Sequence, residues 1–453
     1  MGLEVIPTQT PRGLNAGRGT ADGHCMTSSS LSYPEPDSDG KGPGSGELMT
    51  ASAVLERVAQ RFDAAGGLGL MVIDGSFIDA IERKNGHEAR RDALNALGRL
   101  VQQVAADKLH ECDLVMTAEA GRNEIWVAFL NWVDDASILR HEIPSFEKAL
   151  AQLIHKNAGK AFYPHLRRAP KVEMGFEVCF RNPRFSAETQ LYRAVEQARE
   201  DVQHNIAQRA RERRRRFQEI VLDRNVYSVY EPIVEVDTHV VFAYESLVRG
   251  PDDSEFHSPI HLFGAADEYD MLFELDCQSR ASGLRGAVDF PQGTKLFLNI
   301  LPTAFHDPNF RAERLIETLA KCQLRPTDVV FEISEQESIE NFSVFKESRD
   351  YYRSLGFQFA LDDTGSGYAG LEALLEISPD FIKMDRAFVS GVDEDFARQD
   401  LLSALLTVAE KMGAKVIGEG LDRPEELEML SKLGIHYGQG WLFGHPTPLR
   451  PRK

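Results

Sequence analysis

The chain has 453 residues, 42% hydrophobic and 27% charged, and its 51 basic against 70 acidic side chains leave a net charge of −19. That length suggests two or three folded units, and the apolar fraction excludes global disorder. The acidic balance argues against a general binder of nucleic-acid polymers or anionic membranes, which needs clustered Lys and Arg. Five scattered cysteines (Cys25, Cys112, Cys179, Cys277, Cys322) form no CxxC or Cys/His cluster, which speaks against a disulfide framework or structural zinc. No apolar run approaches a membrane span, and the N-terminus lacks a basic-then-apolar signal segment. The expectation is a cytoplasmic, multidomain protein.

Residues 1–50 hold nine Gly and five Pro, and the stretch Gly40–Gly46 cannot build a core, so 1–48 reads as a disordered tail. Val54–Phe62 predicts a helix, and Leu68–Ile73 a buried strand ending in Asp74. Arg91–Leu109 spaces Leu94, Leu97, Leu100, Val101 and Val104 as a helix, and Ile125–Leu130 reads as another strand. Residues 49–185 therefore form a smaller α/β domain. Thr189–Ile220 predicts a long polar helix carrying Arg209, Arg211 and Arg213–Arg216, with 186–216 as linker. Given the global charge, that arginine cluster is read as a solvated helix face rather than a phosphate or partner patch. From 217 to 453, apolar strand-like runs alternate with amphipathic helices, the pattern of a barrel or doubly wound parallel sheet.

Polar residues close these runs one after another: Glu245, Asn299, Glu332 with Glu335 behind it, the pair Asp362–Asp363, Lys383, Glu419 and Gln439. A polar group at one strand end ordinarily caps a helix or shapes a turn. Seven in order would be costly to bury unless they share a partner, and in a (β/α)₈ barrel the strand C-termini converge on one mouth. The acids with an amide oxygen make an all-oxygen ligand set, suited to Mg²⁺ or Mn²⁺. Adjacent Asp362 and Asp363 can serve two neighbouring ions, as an in-line phosphoryl displacement uses, and Lys383 can orient water or neutralise charge. From periodicity alone a metal-dependent barrel lyase of the enolase kind also remains open.

The motifs TyrGluSerLeuValArgGly (244–250), LeuAsnIleLeuPro (298–302), PheGluIleSerGlu (331–335), LeuAspAspThrGlySerGlyTyr (361–368), IleLysMetAspArg (382–386), GlyGluGlyLeuAsp (418–422) and TyrGlyGlnGlyTrpLeuPheGly (437–444) resemble, in order, those of EAL-domain cyclic di-GMP phosphodiesterases. The resemblance implies a TIM-like barrel, a homodimer formed through it, and hydrolysis of cyclic di-GMP to linear pGpG with two divalent cations. It implies Glu245, Asn299, Glu332, Asp362 and Glu419 as metal ligands, Asp363 as the second-metal acid and Lys383 as the water-contacting lysine. Glu335 matches the glutamate that fixes the Asp-Asp loop, Gln439 a metal- or water-linked glutamine, and Arg249, Leu247 and Asp422 positions at the substrate. Five positions depart from the family pattern: Ser246 for Ala, Thr364 for Phe with Ser366 for Thr, Asp422 for Glu, and Glu231 for Gln. The Thr364 loop keeps a second reading open, a non-catalytic cyclic di-GMP receptor or scaffold.

Asp74, Gly86–His87 and Gly121–Ile125 resemble, in order and spacing, a GGDEF diguanylate cyclase domain. Asp74 matches the first metal acid, but Asn123 stands at the second, and Glu82 and Arg91 fall at the guanine-reading positions. Ser76, Asp79 and Arg122 replace further motif residues, and Cys112 and Val115 occupy the inhibitory site. The resemblance implies a degenerate module without cyclase activity.

Overall fold

The computed structural model describes residues 48–119, 121–131, 136–166, 169–334, 342–364 and 370–450. Residues 1–47 of the expected tail, Glu335 and Ser366 lie outside the described residues, as do the side chains of Asp363 and Thr364. The chain divides into two compact units whose boundary in sequence falls between Asn205 and Ile206.

The first unit runs α1 (Ala51–Ala65), β1 (Gly67–Asp74), α2 (Phe77–Asn85), α3 (His87–Lys108), β2 (Leu114–Thr117), β3 (Glu124–Phe129), α4 (Ile143–Ala161), β4 (Glu173–Phe180) and the first part of α5 (Ala187–Leu222). Strand β1 is apolar up to Asp74 and buried along its length, which makes it a central strand in the order β2-β3-β1-β4. Every pairing is antiparallel, and between β2 and β3 the connection is too short for a parallel crossover. The unit is thus helices layered on an antiparallel sheet. The α3 stripe of Ala89, Ala93, Leu97, Val101 and Val104 packs with Phe129 and with Phe146, Leu150 and Ile154 of α4. Leu48, assigned above to the tail, is partly buried against this core.

In the second unit Phe217, Ile220 and Val221 of α5 pack with Val248, Phe256 and Leu262. Arg213 pairs with Glu255 and Glu268 at 3.0 and 2.7 Å, and Arg215 pairs with Glu212 and Glu219 of its own helix. This part of the arginine cluster is neutralised locally.

The unit continues through β5 (Tyr227–Glu235), β6 (Val241–Arg249), α6 (Pro259–Glu268), α7 (Leu272–Gly286), β7 (Lys295–Asn299), α8 (Ala312–Lys321), β8 (Val329–Ser334), α9 (Phe342–Ser354), β9 (Gln358–Thr364), α10 (Gly370–Ile377), β10 (Phe381–Met384), α11 (Arg386–Val389), α12 (Phe396–Met412), β11 (Lys415–Gly418), α13 (Pro424–Leu433) and β12 (Tyr437–Gln439). Strands β5 to β12 close into one eight-stranded barrel. It departs from a uniform (β/α)₈ alternation in one respect: β5 runs antiparallel to both neighbours, β6 and β12. The turn 236–240, with His239 at φ 58°, leaves no room for a helical crossover, so β5 and β6 form a hairpin. Between barrel and helices lies a large apolar core that includes Leu296, Leu298, Phe331, Phe359, Leu361, Ile382 and Val416.

Candidate active site

Side chains alternate faces along a strand, so the residues flanking that outer core point into the barrel. There Ile233, Ala243, Phe297, Val330, Ala360, Phe381 and Ile417, one from each of seven strands, form an apolar layer that Tyr437 of the eighth packs against. One step of two residues along each parallel strand reaches the same face again, at Glu245, Asn299, Glu332, Asp362, Lys383, Glu419 and Gln439. In the reversed strand β5 the same step runs backward, to Glu231, which lies directly opposite Glu245. The polar layer is therefore a consequence of strand periodicity stacked on an apolar floor.

At its centre is the Lys383 ammonium, 1% exposed. Its Nζ lies 2.7 Å from Glu419 Oε1, 2.9 Å from Glu332 Oε1, 3.1 Å from Glu245 Oε2 and 3.3 Å from Asp362 Oδ1. Asn299 Nδ2 donates to Glu245 Oε1 at 3.0 Å and to Glu332 Oε2 at 3.1 Å. Gln439 Nε2 donates to Glu245 Oε2 at 2.6 Å and Glu231 Oε2 at 3.0 Å.

Four carboxylates around one ammonium leave an excess of negative charge out of water, and the proton affinities of Glu332 and Glu419 register it. Burial, with Glu245 beside it, pushes Glu332 well above the usual carboxylate range. Burial also pushes Glu419 up to about 8, against the pull of Lys383. Burial acts to raise Glu245 too, but the Lys383 charge and the Gln439 and Asn299 donors outweigh it and hold the group low. Glu231 is raised, by burial first and by the Glu245 charge. Lys383 is held well above its ordinary value: burial works against the charge, and the surrounding acids win.

Among the described residues no group of three or more His, Cys, Asp or Glu has the spacing of a formed metal site. The donor set nonetheless fits a hard divalent cation: every donor is oxygen, the charge excess is negative, and Gln439 Oε1 is buried with no hydrogen-bond partner among the described residues.

A cavity of about 310 Å³ opens beside the cluster, with Glu245, Leu247, Asn299, Asp362, Asp276 and Arg280 among its lining residues. Arg280, on α7, is 3% exposed and pairs with Asp276 and with Asp307, the latter at 3.0 Å. The sequence reading missed this triad. The i, i+4 spacing of Asp276 and Arg280 is the signal that could have found it.

Other expected positions lie apart from the ammonium. Arg249 Nη1 donates to the Val248 carbonyl at 2.9 Å, and Asp422 Oδ2 accepts from Arg386 Nη2 at 2.5 Å. Ser246 is buried where a Cβ on Gly283 would fall 2.6 Å from its Oγ, so the hydroxyl is accommodated by the glycine across from it.

In the first unit Asp74 accepts from Ser76 N at 3.1 Å and Ser76 Oγ at 2.7 Å, and Asn123 Nδ2 donates to Asp79 Oδ1 at 2.6 Å. Glu82, on α2, pairs with Arg90 at 3.4 Å, and Arg91 on α3 is exposed. These residues hold one another in turns and helix ends.

Residues 214–446 match the family described as the EAL domain, and the chain belongs to that family. Among curated relatives, it is 29% identical over 191 residues to the cyclic di-GMP phosphodiesterase PdeA of Borreliella burgdorferi, covering 42% of this chain and 28% of that one. It is 28% identical over 221 residues to the blue light- and temperature-regulated antirepressor BluF of Escherichia coli, covering 48% of this chain and 54% of that one. The chain thus spans about half or less of the curated relatives it matches. Among solved structures, a standalone EAL protein from Vibrio cholerae in its c-di-GMP-bound form is 28% identical, covering 49% of this chain and 92% of that one, with a TM-score of 0.44.

Proposed function

We propose that this protein hydrolyses cyclic di-GMP to linear pGpG. The observation that carries the reading is the convergence of Glu245, Glu332, Asp362 and Glu419 on Lys383, beside a cavity, in a chain of the EAL family. The similarity to a relative named as a cyclic di-GMP phosphodiesterase supports the choice of substrate.

Glu245, Asn299, Glu332, Asp362, Asp363 and Glu419 would hold two divalent cations, Mg²⁺ or Mn²⁺. Such ions, when bound, acidify water into a nucleophile and stabilise the attacking and leaving oxygens of a phosphodiester. The chain's own residues do the rest. Asn299 and Gln439 orient the Glu245 carboxylate by donating to both its oxygens. Lys383, kept protonated by its acid neighbours, supplies a fixed positive charge where the phosphoryl oxygens gain negative charge. Arg249, on the same strand as Glu245, offers a planar fork matched to the non-reacting phosphate. The apolar layer below excludes water from that side.

The first unit acts as a GGDEF-like domain without cyclase activity. The engagement of Asp74 with Ser76, and the amide of Asn123 at the second-acid position, support that assignment. We further assign a cytoplasmic homodimer paired through the barrel, as the resemblance to the family implies. Separately, among the described residues no helix is long and apolar enough to cross a membrane.

Purified protein incubated with cyclic di-GMP and Mg²⁺ or Mn²⁺ should yield pGpG by chromatography, and Glu245→Ala should yield none. Similarity also to a relative named as an antirepressor and not as a phosphodiesterase keeps a non-catalytic role as the second reading, here a receptor that binds cyclic di-GMP without turnover. Tight binding with no product in any of these metals would establish that one instead.

A further inference from the structure

Glu231 is the one member of the polar layer that comes from the reversed strand, and it stands directly across from Glu245. Like charges facing each other across a strand pair repel, and among the described residues the Gln439 amide bridges this pair. Its Nε2 donates at 2.6 Å to Glu245 Oε2 and at 3.0 Å to Glu231 Oε2. An ionised carboxylate only accepts hydrogen bonds. Two of them on one amide nitrogen therefore use both of its hydrogens and fix which way the amide faces.

The other end of that amide, Oε1, is left buried without a hydrogen-bond partner among the described residues, on a side chain 4% exposed. An unpaired buried acceptor is costly, so its orientation must be imposed. Glu245 takes one of the amide hydrogens, on an Oε2 that it shares with Lys383 Nζ at 3.1 Å. Glu231 takes the other, which would otherwise lie unpaired in the same buried layer, and an amide turned round would set its oxygen against two carboxylates.

We propose that Glu231 is a positioning residue: with Glu245 it takes both amide hydrogens of Gln439 and thereby presents Gln439 Oε1 as a neutral oxygen donor to a divalent cation or its water. Glu231 acts through its acceptor oxygen, not as a metal ligand and not through its charge. The inference rests on the metal-dependent reading of the same site.

The test is Mn²⁺ binding to the full chain, read by electron paramagnetic resonance without substrate. Glu231→Leu should weaken Mn²⁺ binding about tenfold or more, the scale of losing a group that orients a ligand. Glu231→Gln, whose own amide oxygen accepts the same hydrogen bond, should stay within about threefold of wild type. Gln439→Leu should weaken binding as far as Glu231→Leu, and the double variant should lose nothing more, since one residue works through the other. If Glu231→Leu does not fold, Glu231→Ala removes the acceptor without adding apolar bulk and takes its place. Unchanged binding in the variant lacking the acceptor, equal losses in Glu231→Leu and Glu231→Gln, or additive losses in the double variant would overturn the proposal. A wild-type chain that takes up no Mn²⁺ overturns the metal-dependent reading beneath it.

Discussion

Both units gather acids at the ends of their strands, yet only one makes a cluster of them. In the open sheet of the first unit, Asp74 lies opposite Glu124 on one side and Glu173 on the other. Two of these acids have their own counterparts. Asp74 turns to Ser76, and Glu124 takes Arg199 with both oxygens at 3.0 Å or less. In the barrel, acids at comparable strand ends face a common axis and share one ammonium. Closure of the sheet, more than acid content, converts strand ends into a site able to concentrate charge.

Lys383→Met is the severest way to break that contrast. It leaves four buried carboxylates without their shared ammonium and should cost the second unit about 3–5 kcal/mol, with loss of product. Calorimetry should show the barrel transition falling while the first unit's transition stays. A variant as stable as wild type would mean the acids are already neutral. Next in size is metal. Mn²⁺ at 100 times its Kd should stabilise the barrel by about 2.7 kcal/mol and leave the first unit unmoved, a difference that calorimetry with and without chelator reads.

Glu124→Ala removes the two-oxygen partner of Arg199 and should cost the first unit about 1–3 kcal/mol with pGpG formation unchanged. Its pH dependence has a definite sign. Burial tends to raise the Glu124 carboxyl, but its bonds to Arg199 and Trp126 and the neighbouring charges hold it below the ordinary glutamate value of 4.5. The contribution is therefore present above that value and is lost as pH falls through the lower folded-state value. Acid titration of the first unit's melting should be flatter in Glu124→Gln than in wild type. The smallest effect is expected from Asp74→Asn, which keeps a hydrogen-bond acceptor for Ser76 and should change stability by less than about 1 kcal/mol. A larger change confined to metal-containing buffer would show that Asp74 does more than hold its turn.

The barrel's seven parallel strand ends were readable because each apolar run of β6 to β12 carries its polar residue or leads into it within two residues. Glu231 escaped as a site member because β5 runs the other way, so its mouth-facing residue precedes the inward Ile233 instead of following it. Nothing in the spacing of polar residues announces a reversal; the short turn at 236–240 does. The Arg280 triad was hidden for another reason. Its three members come from a helix and a distant loop, and only the folded chain brings Asp307 to Arg280. The strands and helices read in the first unit followed apolar periodicity, which carries no information on strand sense, so the antiparallel pairing emerged only with the fold.

The apolar layer beneath the polar one has a consequence for traffic. Phe297, Phe381, Ile233 and their neighbours seal the barrel like the base of a thimble. Whatever binds at the polar layer must come and go through one doorway. Whatever arrives last stands guard over what arrived before it, so order of entry constrains order of exit.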